Sequence, residues 1–234
     1  MRKSINCFIY ALLMTLLASE FACNSGNPPA QEQAQDSTKT DSLSTNALKA
    51  IDVFQTYIVG DFDNAEQVAE EYNKGKQSHP YAKHVNRIAN EKIKNLPSSL
   101  NGFYLLEESY YLYPNQKDTL VKPYLFFFEA VDDKTVRLHS IQLPKKLDIK
   151  EIKNNNANLF FEYDSLKTSP TFQPANYSWS EKGFYIKAPN EFPNGSFTLE
   201  ETISKDKLEV METLIIDGKK LTPYDTPIIY LRLQ

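Results

Sequence analysis

Two adjacent glutamates, Glu107 and Glu108, stand in an otherwise apolar and aromatic run, 104-YLLEESYYLY-113. Neighbours on a β-strand point to opposite faces of the sheet, so only one of the pair can look into a closed barrel. Glu107 would share its face with Phe103, Leu105, Ser109 and Tyr111, and Glu108 with Tyr104, Leu106, Tyr110 and Leu112. Either face is apolar enough to desolvate a carboxylate in part and push its pKa up. An inward glutamate is therefore an acid or a ligand anchor inside a cavity, or else the partner of an arginine. An outward one belongs to a solvated face. Both readings stand at the level of sequence.

Arginine is scarce enough to be informative. Beyond Arg2 the chain has only Arg87, Arg137 and Arg232, each in a predicted strand. A guanidinium can grip a carboxylate with two parallel hydrogen bonds. Its partner would be the carboxylate of a propionate or fatty acid, or an internal one at Glu107 or Glu108. His79, His84 and His139 show no ligand spacing, so no histidine-based metal site is expected. The chain contains no HExxH, no glycine-rich phosphate loop and no nucleophile elbow.

The elements that must position these residues begin after a leader. Arg2 and Lys3 precede an apolar stretch from Phe8 to Ala18, too short to span a bilayer but long enough for a signal-peptide core. It ends at 19-SEFAC-23, where a small residue precedes a cysteine and a polar tract follows. The expectation is a lipoprotein-type signal peptide over 1–22 with Cys23 as the lipidated first residue, which anchors the protein in the cell envelope. Ordinary cleavage and secretion is the alternative. Residues 23–46 are rich in Asn, Gln, Ser, Thr and Pro and read as a flexible tether. Residues 47–234 form one domain. With Cys7 in the leader, that domain holds no cysteine for a disulfide, a nucleophile or a metal. Loss of Arg2, Lys3 and Glu20 takes the formal charge from −4 to −5, and no basic cluster interleaved with aromatics appears, so no nucleic-acid partner is expected.

Within the domain, 47-ALKAIDVFQTYIVG-60 has helical spacing and Gly60 at its stop. Asp63 with Glu66, or Asn64 with Gln67, reads as the cap of a second helix ending near Tyr72. After Pro80 the period changes to two. Strands are predicted over 81–93, 102–113, 123–131, 135–143, 176–180, 183–188, 195–203, 207–216 and 226–233, with 144–165 helical or irregular. Nothing alternates strand with helix. The fold class is mainly β with an N-terminal helical segment, an antiparallel sheet whose closure into a barrel removes exposed edges. Phe126, Phe127 and Phe128 must serve both faces of one strand, so at least one needs cover from a packed helix or a dimer interface.

With the strands placed, the series Asp61-Phe62-x-Asn64-x-x-Gln67, a strand near His84, Phe103-Tyr104-x-x-Glu107-Glu108 and Pro123-Tyr124 resembles the CpcT/CpeT family over about residues 51–143. Those are chromophore lyases that attach phycobilins to a cysteine of phycobiliprotein β-subunits. The resemblance implies a calycin-like antiparallel β-barrel, commonly a homodimer, and a bilin or other tetrapyrrole as ligand. It carries the family's glutamate onto Glu107 and its Pro-Tyr onto Pro123-Tyr124. Glu108 stands where the family has glutamine, and Leu125 and Phe127 replace two of its arginines. The family's later cysteines are absent, and Arg87 lies near a family arginine.

The function expected is thus a CpcT/CpeT-like envelope lipoprotein, a non-catalytic barrel binding a small apolar or tetrapyrrole-like ligand. Glu107, Glu108, Arg87, Tyr124 and Arg137 are the candidate contacts, and Glu107 is the candidate catalytic residue should the protein be a bilin lyase. A structural or interaction lipoprotein with a filled barrel is the remaining alternative.

Overall fold

The computed structural model describes residues 50–114 and 116–234. The expected signal peptide, Cys23 and the expected tether lie outside the described residues. Helix α1 covers residues 50–58 and helix α2 covers Ala65–Asn73. The strands are β1 (Gly60–Asp63), β2 (Tyr81–Ile88), β3 (Ile93–Lys94), β4 (Gly102–Leu112), β5 (Leu120–Ala130), β6 (Thr135–Ile141), β7 (Phe161–Glu162), β8 (Ala175–Ser180), β9 (Gly183–Phe192), β10 (Gly195–Ile203), β11 (Lys207–Ile216), β12 (Lys219–Lys220) and β13 (Ile228–Arg232).

Ten of these strands close into an antiparallel barrel in the order β10-β9-β8-β6-β5-β4-β2-β1-β13-β11, and β11 pairs back onto β10. Tight hairpins set the register. Asp217 and Gly218 both adopt positive φ, 49° and 72°, the two-residue turn that matches the twist of the strands it joins. No strand edge remains within the ring, as the antiparallel reading requires.

One strand of the ring differs from the sequence reading. Gly60–Asp63, expected as a helix stop leading into a cap, is β1, paired to β2 on one side and β13 on the other. Phe62 is fully buried in the core. Asp63 does accept the amide N–H of Ala65 at the start of α2 (3.1 Å). Asn64 and Gln67 serve instead as staples. Asn64 donates to the Pro80 carbonyl and accepts from the Ala82 amide, while Gln67 donates to the Pro227 carbonyl and accepts from the Ile229 amide. Four hydrogen bonds thereby tie the start of α2 to strands on both sides of β1.

Helix α1 plugs one end of the barrel. Ile51, Phe54 and Ile58 recur at helical spacing and are buried. The Phe54 ring lies 4.8, 5.0 and 5.1 Å from the rings of Phe128, Tyr177 and Phe184. Burying each such ring contributes roughly 1.5–3 kcal/mol. Arg232 fastens the helix's far end, donating to the carbonyls of Thr56, Tyr57 and Val59 at 3.2, 2.6 and 2.7 Å. These are acceptors that a helix end leaves unpaired.

A second core lies outside the barrel. Tyr104, Leu106 and Leu125 on the outer faces of β4 and β5 pack against Ile152, Leu159 and Phe161. Residues 144–165, expected as helical or irregular, are mostly irregular, with single 3-10 turns at Ile149–Glu151 and Tyr163–Ser165 and the two-residue strand β7 paired to β3. Phe126 and Phe128 belong to the inner core and Phe127 to the outer one. The outer cover predicted for the phenylalanine run is supplied by the chain's own segment.

Candidate functional site

The alternation of β4 answers the question raised by the two glutamates. Phe103 and Leu105 lie in the inner core and Tyr104 and Leu106 in the outer one, which turns Glu107 into the lumen and Glu108 away from it. Glu107 sits between His84 and Ser109. His84 Nδ1 lies 3.1 Å from Glu107 Oε1, and the Ser109 hydroxyl donates to the same oxygen at 2.6 Å. The carboxylate is out of line for a directed bond from the imidazole, and neither ring nitrogen of His84 has a hydrogen-bond partner among the described residues.

More ionisable groups face inward from other strands. On β10, Glu201 pairs with Ile186 and Val210, both core residues. On β11, Glu212 alternates with the buried Val210 and Leu214, and on β5, Lys122 alternates with Tyr124 and Phe126. The Tyr177 hydroxyl donates to Glu201. Tyr230 closes the ring beside His84, with centroids 4.3 Å apart.

Burial dominates the electrostatics, and the neighbours decide its outcome. Burial pushes the Glu107 carboxyl up, but His84 and the Ser109 hydroxyl prevail and hold it below the ordinary value. Burial pushes His84 down, and the carboxylates of Glu107, Glu201 and Glu212 lift it above the ordinary value. At Glu201 burial prevails and drives the carboxyl up to about 7, with Glu107 and Glu212 adding to the rise against the Tyr177 hydroxyl and the pull of His84. Burial also raises Glu212. Lys122 is lowered by burial, against the pull of Glu212. The hydroxyls of Tyr111, Tyr124, Tyr177 and Tyr230 are raised well above the ordinary value, first by burial, and stay neutral donors.

The two halves of the lumen differ in packing. Toward α1 the inward residues Phe103, Leu105, Phe128, Phe184 and Ile203 are fully buried. In the other half Tyr111, Lys122, Tyr124, Phe126, Leu199, Glu201 and Glu212 all keep exposed surface although they face inward from mid-strand. These side chains are desolvated yet keep some exposed surface, so this half of the lumen is not sealed by apolar packing. The rings of Tyr124 and Phe126 stack along its wall, 5.9 Å apart and 12° from parallel.

The other expected site residues fall elsewhere. Tyr124 lies opposite Glu107 in the ladder, so these two share the lumen. Arg87 is on the outer face, with its guanidinium 2.6 Å from Asp61 Oδ1. Glu108 is buried outside the barrel, accepting from the Tyr110 hydroxyl (2.6 Å) and the Asn154 amide (2.7 Å). Asn154 also donates to the Val85 carbonyl, so Glu108 pins the 144–166 segment to the wall. Arg87 and Glu108 both border a surface groove of about 420 Å³ with Tyr110 and Asn154. Arg137 is outside too, 3.4 Å from Glu129 and bonded to Asn176.

Glu201, Glu212 and Lys122 were not among the residues singled out from the sequence. A signal for them existed. In 199-LEETI-203 and 208-LEVMETL-214 a charge occupies the face otherwise held by Leu199 and Ile203, or by Leu208, Val210 and Leu214.

No family model matches the sequence, and no curated protein matches it. Among solved structures the chain is similar to the T-type phycobiliprotein lyase CpeT from Prochlorococcus phage P-HM1, at 12% identity and a TM-score of 0.47, over 80% of this chain and 99% of that one.

Proposed function

We propose that this protein is a binding module of the cell envelope, anchored through a lipid on Cys23, whose lumen holds a flat, largely apolar ligand carrying hydrogen-bond-donating nitrogens. A linear tetrapyrrole is the ligand we name. The observation that carries the reading is the partly exposed half of the lumen, lined by Glu107, Glu201 and Glu212 among neutral tyrosines. Buried carboxylates cost stability unless something uses them, and a barrel needed only for packing would be filled with apolar side chains. The stacked Tyr124 and Phe126 rings offer a flat wall, and the carboxylates offer acceptors for pyrrole-type N–H groups. The motif resemblance over residues 51–143 supports the same ligand class. Titrating the purified protein with biliverdin, haem and fatty acids tests it. Saturable 1:1 binding of biliverdin with a red-shifted visible band is expected; no spectral or thermal response to biliverdin would contradict it.

A second reading, a bilin lyase, is favoured by one observation. The Glu201 carboxyl titrates at about 7, so a lumenal acid can hold and release a proton at neutral pH. In such a reaction a partner's thiol sulfur bonds to a carbon of the ligand's exocyclic double bond. Glu201 gives its proton to the other carbon and recovers the thiol's proton. Incubation of the bilin-loaded protein with a phycobiliprotein β-subunit tests it. Transfer abolished by Glu107→Gln or Glu201→Gln supports it, and no transfer by the unaltered protein contradicts it.

A further inference from the structure

We propose that Lys122 is the docking point for a carboxylate borne by the lumenal ligand, which makes the ligand class an acid and not a neutral apolar compound. The inference rests on the lumen being a binding site.

The placement comes from register. Lys122 on β5 lies opposite Ser109 on β4, and Ser109 lies opposite His84 on β2, so the three span adjacent strands. Lys122 follows Tyr124 and Phe126 on the same inward face, toward the end of the barrel away from α1. Its amine makes no hydrogen bond and no ion pair within 4.0 Å among the described residues; Glu212 attracts it from β11 without touching it. A partly desolvated ammonium with no partner is an incomplete arrangement, because a charge taken from water is tolerated when it is paired and hydrogen-bonded. Glu212 likewise makes no hydrogen bond among the described residues, and burial favours its neutral form. The space between the two side chains therefore suits an acidic group that accepts from Lys122. The neutral hydroxyls of Tyr111 and Tyr124 lie on the neighbouring inward positions.

The alternative cations are engaged elsewhere. Arg87 is held by Asp61 on the outer face, Arg137 by Glu129, and Arg232 by the carbonyls of α1. His84 faces the lumen but is already paired with Glu107. Among the described residues, Lys122 is the cation of the partly exposed half that lacks a carboxylate at contact distance.

The experiment compares two acid–ester pairs, biliverdin with its dimethyl ester and cis-parinaric acid with its methyl ester, by fluorescence and absorbance titration of the purified protein. The unaltered protein is expected to prefer the acid by roughly tenfold or more in at least one pair, the scale of a hydrogen bond to a charged group. Lys122→Met removes the preference and Lys122→Arg retains it, while Lys122→Gln serves as the neutral variant if Met disturbs folding. Equal binding of acid and ester, or a preference that survives in the neutral variants, overturns the proposal. Equal binding of acid and ester in both pairs, with biliverdin bound, would leave the tetrapyrrole reading standing and sink this one. Acid preference for parinarate alone, with no bilin bound, would do the reverse. If none of the four probes binds, both fall.

Discussion

Inside the barrel, His84 Nδ1 and Glu107 Oε1 stand 3.1 Å apart, a largely buried ion pair on the inner faces of β2 and β4. Each shifts the other toward its charged form, histidine upward and glutamate downward, against a desolvation that opposes both. Because the glutamate's folded pKa is depressed, its contribution is complete above the ordinary 4.5 and is lost as pH falls through the folded value. Because the histidine's is raised, its contribution is complete below 6.5 and is lost as pH rises through the folded value. The pair therefore stabilises most between pH 4.5 and 6.5. Glu107→Gln should cost about 3 kcal/mol there, since it leaves a buried imidazole without its counter-charge. Urea denaturation across that range, with the His84 ring resonances followed by NMR, should show both the loss and a lowered His84 pKa.

Glu201 carries the opposite sign. Its carboxyl is raised to about 7 from an ordinary 4.5, so the native state holds a proton that the unfolded chain has released. Stability from this group falls as pH rises from 4.5 through 7. Glu201→Gln removes the penalty and should raise stability by about 2–3 kcal/mol at pH 8, with little change at pH 4. Thermal melts of the two proteins at pH 4, 6 and 8 check this; a destabilised variant at pH 8 would show that the carboxylate is needed in its ionised form.

Away from the lumen, Glu71 receives the backbone N–H groups of Ser78 and His79, the Ser78 hydroxyl and the His79 ring. Burial raises its carboxyl, and these donors together bring it down to about 2. Its stabilisation is present above pH 4.5 and fades toward pH 2. Allowing for solvent screening of a surface carboxylate, Glu71→Gln should cost about 1–2 kcal/mol at pH 7, and the difference should close in acid. Denaturation midpoints at pH 7 and pH 2.5 give the comparison.

Gly60 and Arg232 form a single device. Gly60 has φ +149°, and a Cβ built there would lie 2.3 Å from the Arg232 guanidinium that caps α1. Gly60→Ala should therefore expel the guanidinium as well as strain the backbone, costing about 2–3 kcal/mol. Arg232→Ala should cost about 2 kcal/mol through the lost carbonyl contacts. Because both act on one contact, the double variant should be less destabilised than the sum of the two, which a double-mutant cycle measures.

Much of the barrel is legible in the sequence because period-two alternation and hairpin turns are local. Nine of its strands follow from them, and α1 follows from the spacing of Ile51, Phe54 and Ile58. The strand β1 is not, since four residues are too few to show a period and Gly60 and Asp63 also satisfy the rules for a helix stop and a cap. Whether Glu107 or Glu108 faces inward depends on which face of β4 the 144–166 segment covers, a long-range contact with no local signature. The outward placement of Arg87 and Arg137 has the same origin. Arg87 meets Asp61 only because β1 enters the ring beside β2.

The central claim is that the partly exposed half of the lumen is a ligand site, and blocking it tests the claim most directly. Leu199 faces inward on β10 beside Ala188 and Glu212, so Leu199→Trp fills the space from the wall. Biliverdin should titrate the unaltered protein to one equivalent, and Leu199→Trp should weaken binding by roughly a hundredfold or more as a bulky ring occupies the space. The variant's circular dichroism should stay that of a folded barrel. Undiminished affinity in the folded variant, or no biliverdin binding by the unaltered protein, would contradict the claim.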